Sequence, residues 1–451
     1  MENSISQKFN FRKLIMFTIP SIMMLIFTSL YSIVDGVFVS RFVSTDALSA
    51  VNIVYPFINI IMGIGVMFAS GGSAVIAKKL GEKREEEAKS NFTLIILVGF
   101  LVGVFCSIVG FIFSNQIIVF MGATNDLLQY CKDYFMPTLL FVPAFILNLL
   151  FQFLTITAGK PKLGLILTII GGCTNMILDY VFISIFDMGI AGAAYATGIG
   201  NLLPSIIGII YFLQKRSQLY FIKPNLDFKV IIKSCTNGSS EMVTNLATGV
   251  TTILFNIIMI RYLGSNGVAA MTIVLYCQFL ITALFIGFSM GVSPVISYNY
   301  GKDDKKELNK IIKYSLIFIC TSSVILFILA LIFGANVVAI FSPRGTQVFS
   351  IAIKGFLLFS ISFLVSGINI FSSALFTSFS DGKTSAIISF LRTFIFIIIG
   401  IMLLPKAIGV NGVWLAIPFA EGLSTVVALI FINKYKYKYG YGKFEKAKNI
   451  A

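Results

Sequence analysis

Residues 71–84 read GGSAVIAKKLGEKR, and residues 291–304 read GVSPVISYNYGKDD. Laid against each other at an offset of 220 residues, Gly71, Ser73, Val75, Ile76 and Gly81 meet Gly291, Ser293, Val295, Ile296 and Gly301. Each stretch ends an apolar run just before a charged loop. The register holds on either side: Arg41, Phe42, Ala50, Ile53 and Val54 meet Arg261, Tyr262, Ala270, Ile273 and Val274, while Gly189, Gly192 and Ala196 meet Gly409, Gly412 and Ala416. Such self-similarity marks two copies of one structural unit.

The material between these landmarks defines the unit. The chain is 57% hydrophobic and only 12% charged, with a mean hydropathy of +0.94. A soluble domain carries about twice that charge density. Apolar runs recur from about 14–38 to about 411–432, twelve in all, each of the roughly 20 residues that a membrane-spanning helix needs. They lack the alternating polarity of barrel strands. The sequence therefore predicts an all-α integral membrane protein with twelve transmembrane helices in two six-helix lobes. Because six is even, the lobes keep one orientation and are related by a parallel pseudo-two-fold repeat, with substrate expected between them. The expected divisions are an N-terminal lobe (1–213), a cytoplasmic linker (214–236), a C-terminal lobe (237–433) and a basic tail (434–451).

The net charge of +15 would suggest nucleic acid in a soluble chain, but its placement points elsewhere. Lys and Arg cluster on alternate connections: Lys8, Arg12 and Lys13; Lys78, Lys79, Lys83, Arg84 and Lys89; Lys160 and Lys162; Lys215, Arg216, Lys223, Lys229 and Lys233; Lys302, Lys305, Lys306, Lys310 and Lys313; Lys383 and the tail. This bias places both termini in the cytoplasm of a multi-pass plasma-membrane protein. The Lys/Tyr tail is expected at anionic headgroups rather than on nucleic acid. The six Cys are scattered, without paired spacing, and predict neither a disulfide framework nor a metal cluster. With no His and no nucleophile constellation, an enzyme is not expected, and no cofactor is called for. Any protonation switch has to run on carboxylates.

Ionisable residues inside spans are costly and usually functional. Asp35 lies deep in the first span. On the fifth, Asn175 and Asp179 are four residues apart and share a helix face. Thr197 on the sixth offers a hydroxyl, although such groups commonly bond their own helix. Together they form a hard-oxygen set suited to H⁺ or to Na⁺ as the coupling ion. Their register mates are Phe255, Ile395, Ile399 and Ile417, so the second half did not keep this chemistry. A purely architectural requirement would appear in both halves. In the second half Glu241, with Asn245 and Gln278, is a candidate for meeting a cationic substrate; a helix-entry acid is an equal reading. Glu421 meets Asn201, which favours a shared structural polar position.

The stretches IPSIMMLIFTSLYSIVDGVFVSRFVSTDALSAVNIVYP, GGSAVIAKKLGEKR, NMILDYVFI and MGIAGAAYATGIG resemble the multidrug and toxic compound extrusion (MATE) family, its bacterial drug-exporter branch in particular, over essentially the whole chain. The resemblance implies a V-shaped monomer that expels hydrophobic organic cations in exchange for H⁺ or Na⁺, with Asp35, Asn175, Asp179 and Thr197 as the cation site. A working glutamate that some members carry in the seventh span would fall near Gly249, about two turns from Glu241. The alternative considered, a flippase for lipid-linked precursors of related architecture, would call for intramembrane basic residues to hold pyrophosphate. Here only Arg392 and the helix-end Arg41 and Arg261 lie near the membrane.

Overall fold

The computed structural model describes residues 5–215 and 217–442, except for some side chains between positions 33 and 48, that of Arg41 among them. Arg216 and residues 443–451 of the basic tail lie outside the described residues. Six long helices span the first lobe: α1 (Phe11–Phe42), α2 (Thr45–Gly81), α3 (Glu85–Ile112), α4 (Leu128–Thr157), α5 (Pro161–Asp179) and α6 (Gly189–Leu213). The second lobe repeats the plan. Its α7 and α8 occupy Phe228–Gly301, followed by α9 (Lys305–Phe341), α10 (Gln347–Ser378), α11 (Gly382–Ile408) and α12 (Val410–Tyr435).

Phe228–Gly301 runs for 74 residues, far more than one crossing needs, and is broken at Gly264, whose φ of 62° and ψ of −154° are non-helical. Counting that segment as two spans gives twelve among the described residues. Caps start the helices where the sequence leaves the bilayer. Ser44 accepts from the Ala47 N–H at 3.0 Å, and Asp304 accepts from the Glu307 N–H at 3.1 Å. The repeat extends to backbone conformation: Gly189 and Gly409, which are register mates, both enter their helices at positive φ, 56° and 62°. A side chain at either place would be strained.

The lobes meet backbone to backbone at the end that carries the basic loops. A Cβ on Gly81 would lie 2.0 Å from the Tyr298 carbonyl oxygen, and one on Gly301 would lie 2.2 Å from that of Lys78. Gly81 and Gly301 are register mates, as are Lys78 and Tyr298, so the contact is its own image under the pseudo-two-fold. Higher up, Gly71 of α2 abuts Ser234 and Gly238 of α7, and its mate Gly291 of α8 abuts Thr18 and Ser21 of α1. Small residues permit this approach in a bilayer, where close packing replaces hydrophobic driving force. Toward the opposite end, a Cβ on Gly249 of α7 would meet nothing within 4 Å. The cleft between the lobes is closed at the basic end.

Two connections differ from their sequence reading. Asp227 caps α7 by accepting from the Lys229 N–H at 2.9 Å, so positions 228–236 of the expected linker are helix. The remainder is strapped to α3: Lys89 Nζ donates to Tyr220 Oη at 3.1 Å, and Phe221 packs on Phe92 with ring centroids 5.4 Å apart. Residues 436–442, the described part of the tail beyond α12, fold back on the protein. Phe379 is stacked between Tyr439 and Tyr441 at 4.6 and 5.3 Å, and Tyr439 Oη donates to Asp381 Oδ2 at 2.6 Å. The Tyr439 and Tyr441 rings turn inward there, while Tyr437, Lys434 and Lys438 remain exposed.

Candidate cation site within the first lobe

Helix α1 brings Asp35 against α5, where the four-residue spacing sets Asn175 and Asp179 on the inward face. Asp179 is fully buried, Asn175 nearly so and Asp35 half-buried. The Asp35 carboxyl faces both Asp179 and Asn175. Directly after Asp179 the helix widens into a π-helical segment, Tyr180–Ile185, a deviation that recurs at functional sites.

From α6, Thr197 completes the group, its hydroxyl accepting from Asn175 Nδ2 at 3.2 Å. Four buried oxygens remain without a hydrogen-bond donor: Asp35 Oδ1, both carboxylate oxygens of Asp179, and Asn175 Oδ1. Among the described residues no Lys or Arg pairs with either carboxylate. Uncompensated buried acceptors are rare and costly. Oxygens gathered in this way fit a proton or a small hard cation such as Na⁺. The structure thus brings together all four residues singled out in the sequence.

A polar pocket adjoins the acids, lined by Tyr31, Asn148, Gln152, Gly172, Asn175 and Asn201 among others. Asn148 Nδ2 donates to Asn201 Oδ1 at 2.9 Å, and Asn201 Nδ2 donates to the Thr197 carbonyl at 2.8 Å. Tyr31 and Tyr134 lie within electrostatic reach of Asp35. Sequence reasoning missed Tyr31, Asn148 and Gln152. The one signal for them is an amide inside an apolar run, which Asn148 and Gln152 both supply on α4.

The second lobe is arranged otherwise. Asn245 donates to the backbone carbonyl of Glu241 at 2.9 Å and packs against Gly63 of α2. Gln278 is half-buried on α8, its carbonyl accepting from Thr282. Glu421 on α12 is held by the Arg392 guanidinium, Nε to Oε1 at 2.9 Å and Nε to Oε2 at 3.1 Å, with Nη2 to Oε1 at 2.9 Å. Asn369 Nδ2 adds a bond to Glu421 Oε2 at 2.6 Å.

A family model described as MatE matches residues 20–181 and again residues 242–402. The chain belongs to the MatE family. The two matches to MatE fall one per lobe, in step with the internal repeat. Among curated relatives, the multidrug export protein MepA of Staphylococcus saprophyticus is 24% identical over 431 residues, covering 94% of this chain and 93% of that one. MepA of Staphylococcus aureus (strain MRSA252) is likewise 24% identical over 433 residues, with 94% and 93% covered. Among solved structures, an outward-facing multidrug-resistance MATE transporter of the MOP superfamily superposes with a TM-score of 0.89 at 19% identity, covering 96% of this chain and 97% of that one. A MOP-superfamily transporter from Pyrococcus furiosus gives 0.89 at 19%, with 96% and 98% covered. MatE proteins are membrane transporters, and this chain is a multi-pass member with the family's two-lobe fold.

Proposed function

We propose that this protein is a secondary active multidrug exporter that exchanges hydrophobic organic cations for H⁺ or Na⁺ by alternating access, with Asp35, Asn175, Asp179 and Thr197 as its coupling site. The observation that carries this reading is the facing pair Asp35 and Asp179, with three carboxylate oxygens buried and unpartnered. Two carboxylates in so low a dielectric hold one positive charge favourably, whereas two cations at once would compete for the same oxygens. Exchange follows rather than co-transport.

The MepA relatives, which are multidrug export proteins by name, support small drug-like molecules as the cargo. Aromatic faces attract such cations by about 0.5–2 kcal/mol without exacting geometry. We place the basic-loop end in the cytoplasm by the positive-inside rule, so that the described state is closed inward. The coupling ion is the only non-protein species the reading requires, and the protein acts as a monomer. The flippase alternative gains nothing from Arg392, which is bound to Glu421 and not free to hold pyrophosphate.

The test is substrate efflux from proteoliposomes with pH and Na⁺ gradients imposed separately. Efflux driven by neither gradient rejects the exchange. Single Cys residues placed in the 78–89 and 302–313 loops of a Cys-less variant should react only from the cytoplasmic side, and labelling of both from outside rejects the orientation.

A further inference from the structure

We propose that Arg392 is a built-in cation that permanently fills the second lobe's counterpart of the first-lobe pocket, and so confines exchangeable-cation binding to the first lobe. The inference rests on the exchange reading above and explains why only one lobe carries it.

The two interiors correspond through the 220-residue register. Arg392 stands at the register position of Gly172, Glu421 at that of Asn201, Thr251 at that of Tyr31, and Asn369 one residue past that of Asn148. In the first lobe these positions line the polar pocket: Gly172 contributes no side chain, and Asn148 bonds Asn201. In the second lobe the Asn–Asn pair becomes Asn369–Glu421, and a guanidinium issues from the position at which Gly172, in the first lobe, lies bare against the Phe27 and Tyr31 rings beside the pocket.

The fit is close. Arg392 and Glu421 side chains are 13% and 6% exposed, and they are joined by two hydrogen bonds from Nε and an Nη2–Oε1 ion-pair contact. Arg392 sits in a π-helical segment of α11, Leu391–Ile395, a local widening that costs helix geometry and is usually kept for placing a side chain. Glu241 of α7 lies within electrostatic reach of the same guanidinium. Without Arg392 the second lobe would therefore hold two interior acids, Glu241 and Glu421, much as the first lobe holds Asp35 and Asp179. A planar guanidinium with bidentate geometry is well suited to remain as a fixed counter-ion.

The experiment vacates the site and offers a free cation of the same shape. Arg392→Ala, purified as the full chain and carrying Asp179→Asn to neutralise the fully buried acid of the first lobe, should melt below its Asp179→Asn parent. Methylguanidinium should raise its melting temperature saturably toward the parent value, and neutral methylurea should not. Adding Glu421→Gln should abolish the rescue. Where the alanine chain does not fold, Arg392→Gln, which keeps hydrogen-bond donors without charge, takes the same titration. The proposal is overturned if the recovered variant shows no saturable response, if methylurea rescues equally, or if rescue survives Glu421→Gln. Efflux by the Asp179→Asn parent is scored separately: full activity there defeats the first-lobe exchange reading whatever the second lobe does.

Discussion

The interiors of the two lobes are built on one template and differ in how their buried acids are compensated. The first buries Asp179 with both oxygens unpartnered and Asp35 facing it. The second buries Glu421 at a comparable depth but compensates it with Arg392, Asn369 and the helix around them. A buried ion pair with its hydrogen bonds complete is static, because removing either partner strands a charge. A buried acid pair without a cation is poised to take one up. The difference is one of compensation rather than depth: Glu421 has a protein counter-ion and, among the described residues, Asp35 and Asp179 have none, which is the feature on which the proposed exchange site rests.

The largest expected effect breaks this contrast directly. Asp179→Asn and Asp35→Asn preserve shape and hydrogen bonding but remove the charge, so each should lower gradient-driven efflux by about 5- to 150-fold, the range of a typical coupling free energy, at unchanged membrane levels. Normal coupled efflux in both variants at matched expression would place the exchange elsewhere. Glu421→Gln should act mainly through stability: it leaves Arg392 buried and unpaired, at a cost of about 3–5 kcal/mol, read as a fall in thermal midpoint. A stable Glu421→Gln that loses coupling would assign the second lobe a share of the exchange.

Next in size are the symmetric glycines. Gly81→Val and Gly301→Val each drive a side chain into the opposing carbonyl, and should hinder closure at the basic end to a similar degree. Accessibility of a Cys probe in the cleft from that side should rise in both, whereas Gly249→Ala, with open space around its Cβ, should leave it unchanged. Unequal effects of the paired substitutions would show that the two-fold is not kept during closure. Glu241→Gln should be milder, weakening export of particular cationic substrates while coupling persists, as measured by substrate panels against a fixed gradient.

The smallest effect concerns the docked tail. Asp381, in the loop before α11, is partly desolvated, but hydrogen bonds from Tyr439 Oη, Thr384 Oγ1 and the Thr384 N–H outweigh that and hold its carboxyl below the usual carboxylate range. A depressed folded-state value stabilises docking above the ordinary carboxylate range, and that contribution is lost as pH falls through the folded value. Tyr439→Phe should therefore cost about 1 kcal/mol near neutral pH and less in acid, read as faster protease clipping of the tail. An equal change at both pH values would remove Asp381 from the account.

The sequence by itself determined the membrane class, the twelve spans, the repeat and the acids worth reading, because hydrophobic run length and charge placement are local properties and an intramembrane carboxylate is conspicuous wherever it falls. It also suggested the asymmetry of the lobes, since the register sets Asp35 and Asp179 against Phe255 and Ile399. Tertiary structure alone decided which carboxylates are paired. Arg392 and Glu421 lie 29 residues apart on different helices, and nothing in either neighbourhood announces the partner. The same holds for Tyr31, Asn148 and Gln152, whose pocket exists only where α1, α4, α5 and α6 converge, and for the tail tyrosines, whose alternation with lysine reads as surface until Phe379 is folded beneath them. Composition and periodicity report how far a side chain is from water; which charge stands opposite it is fixed by helix packing across the chain.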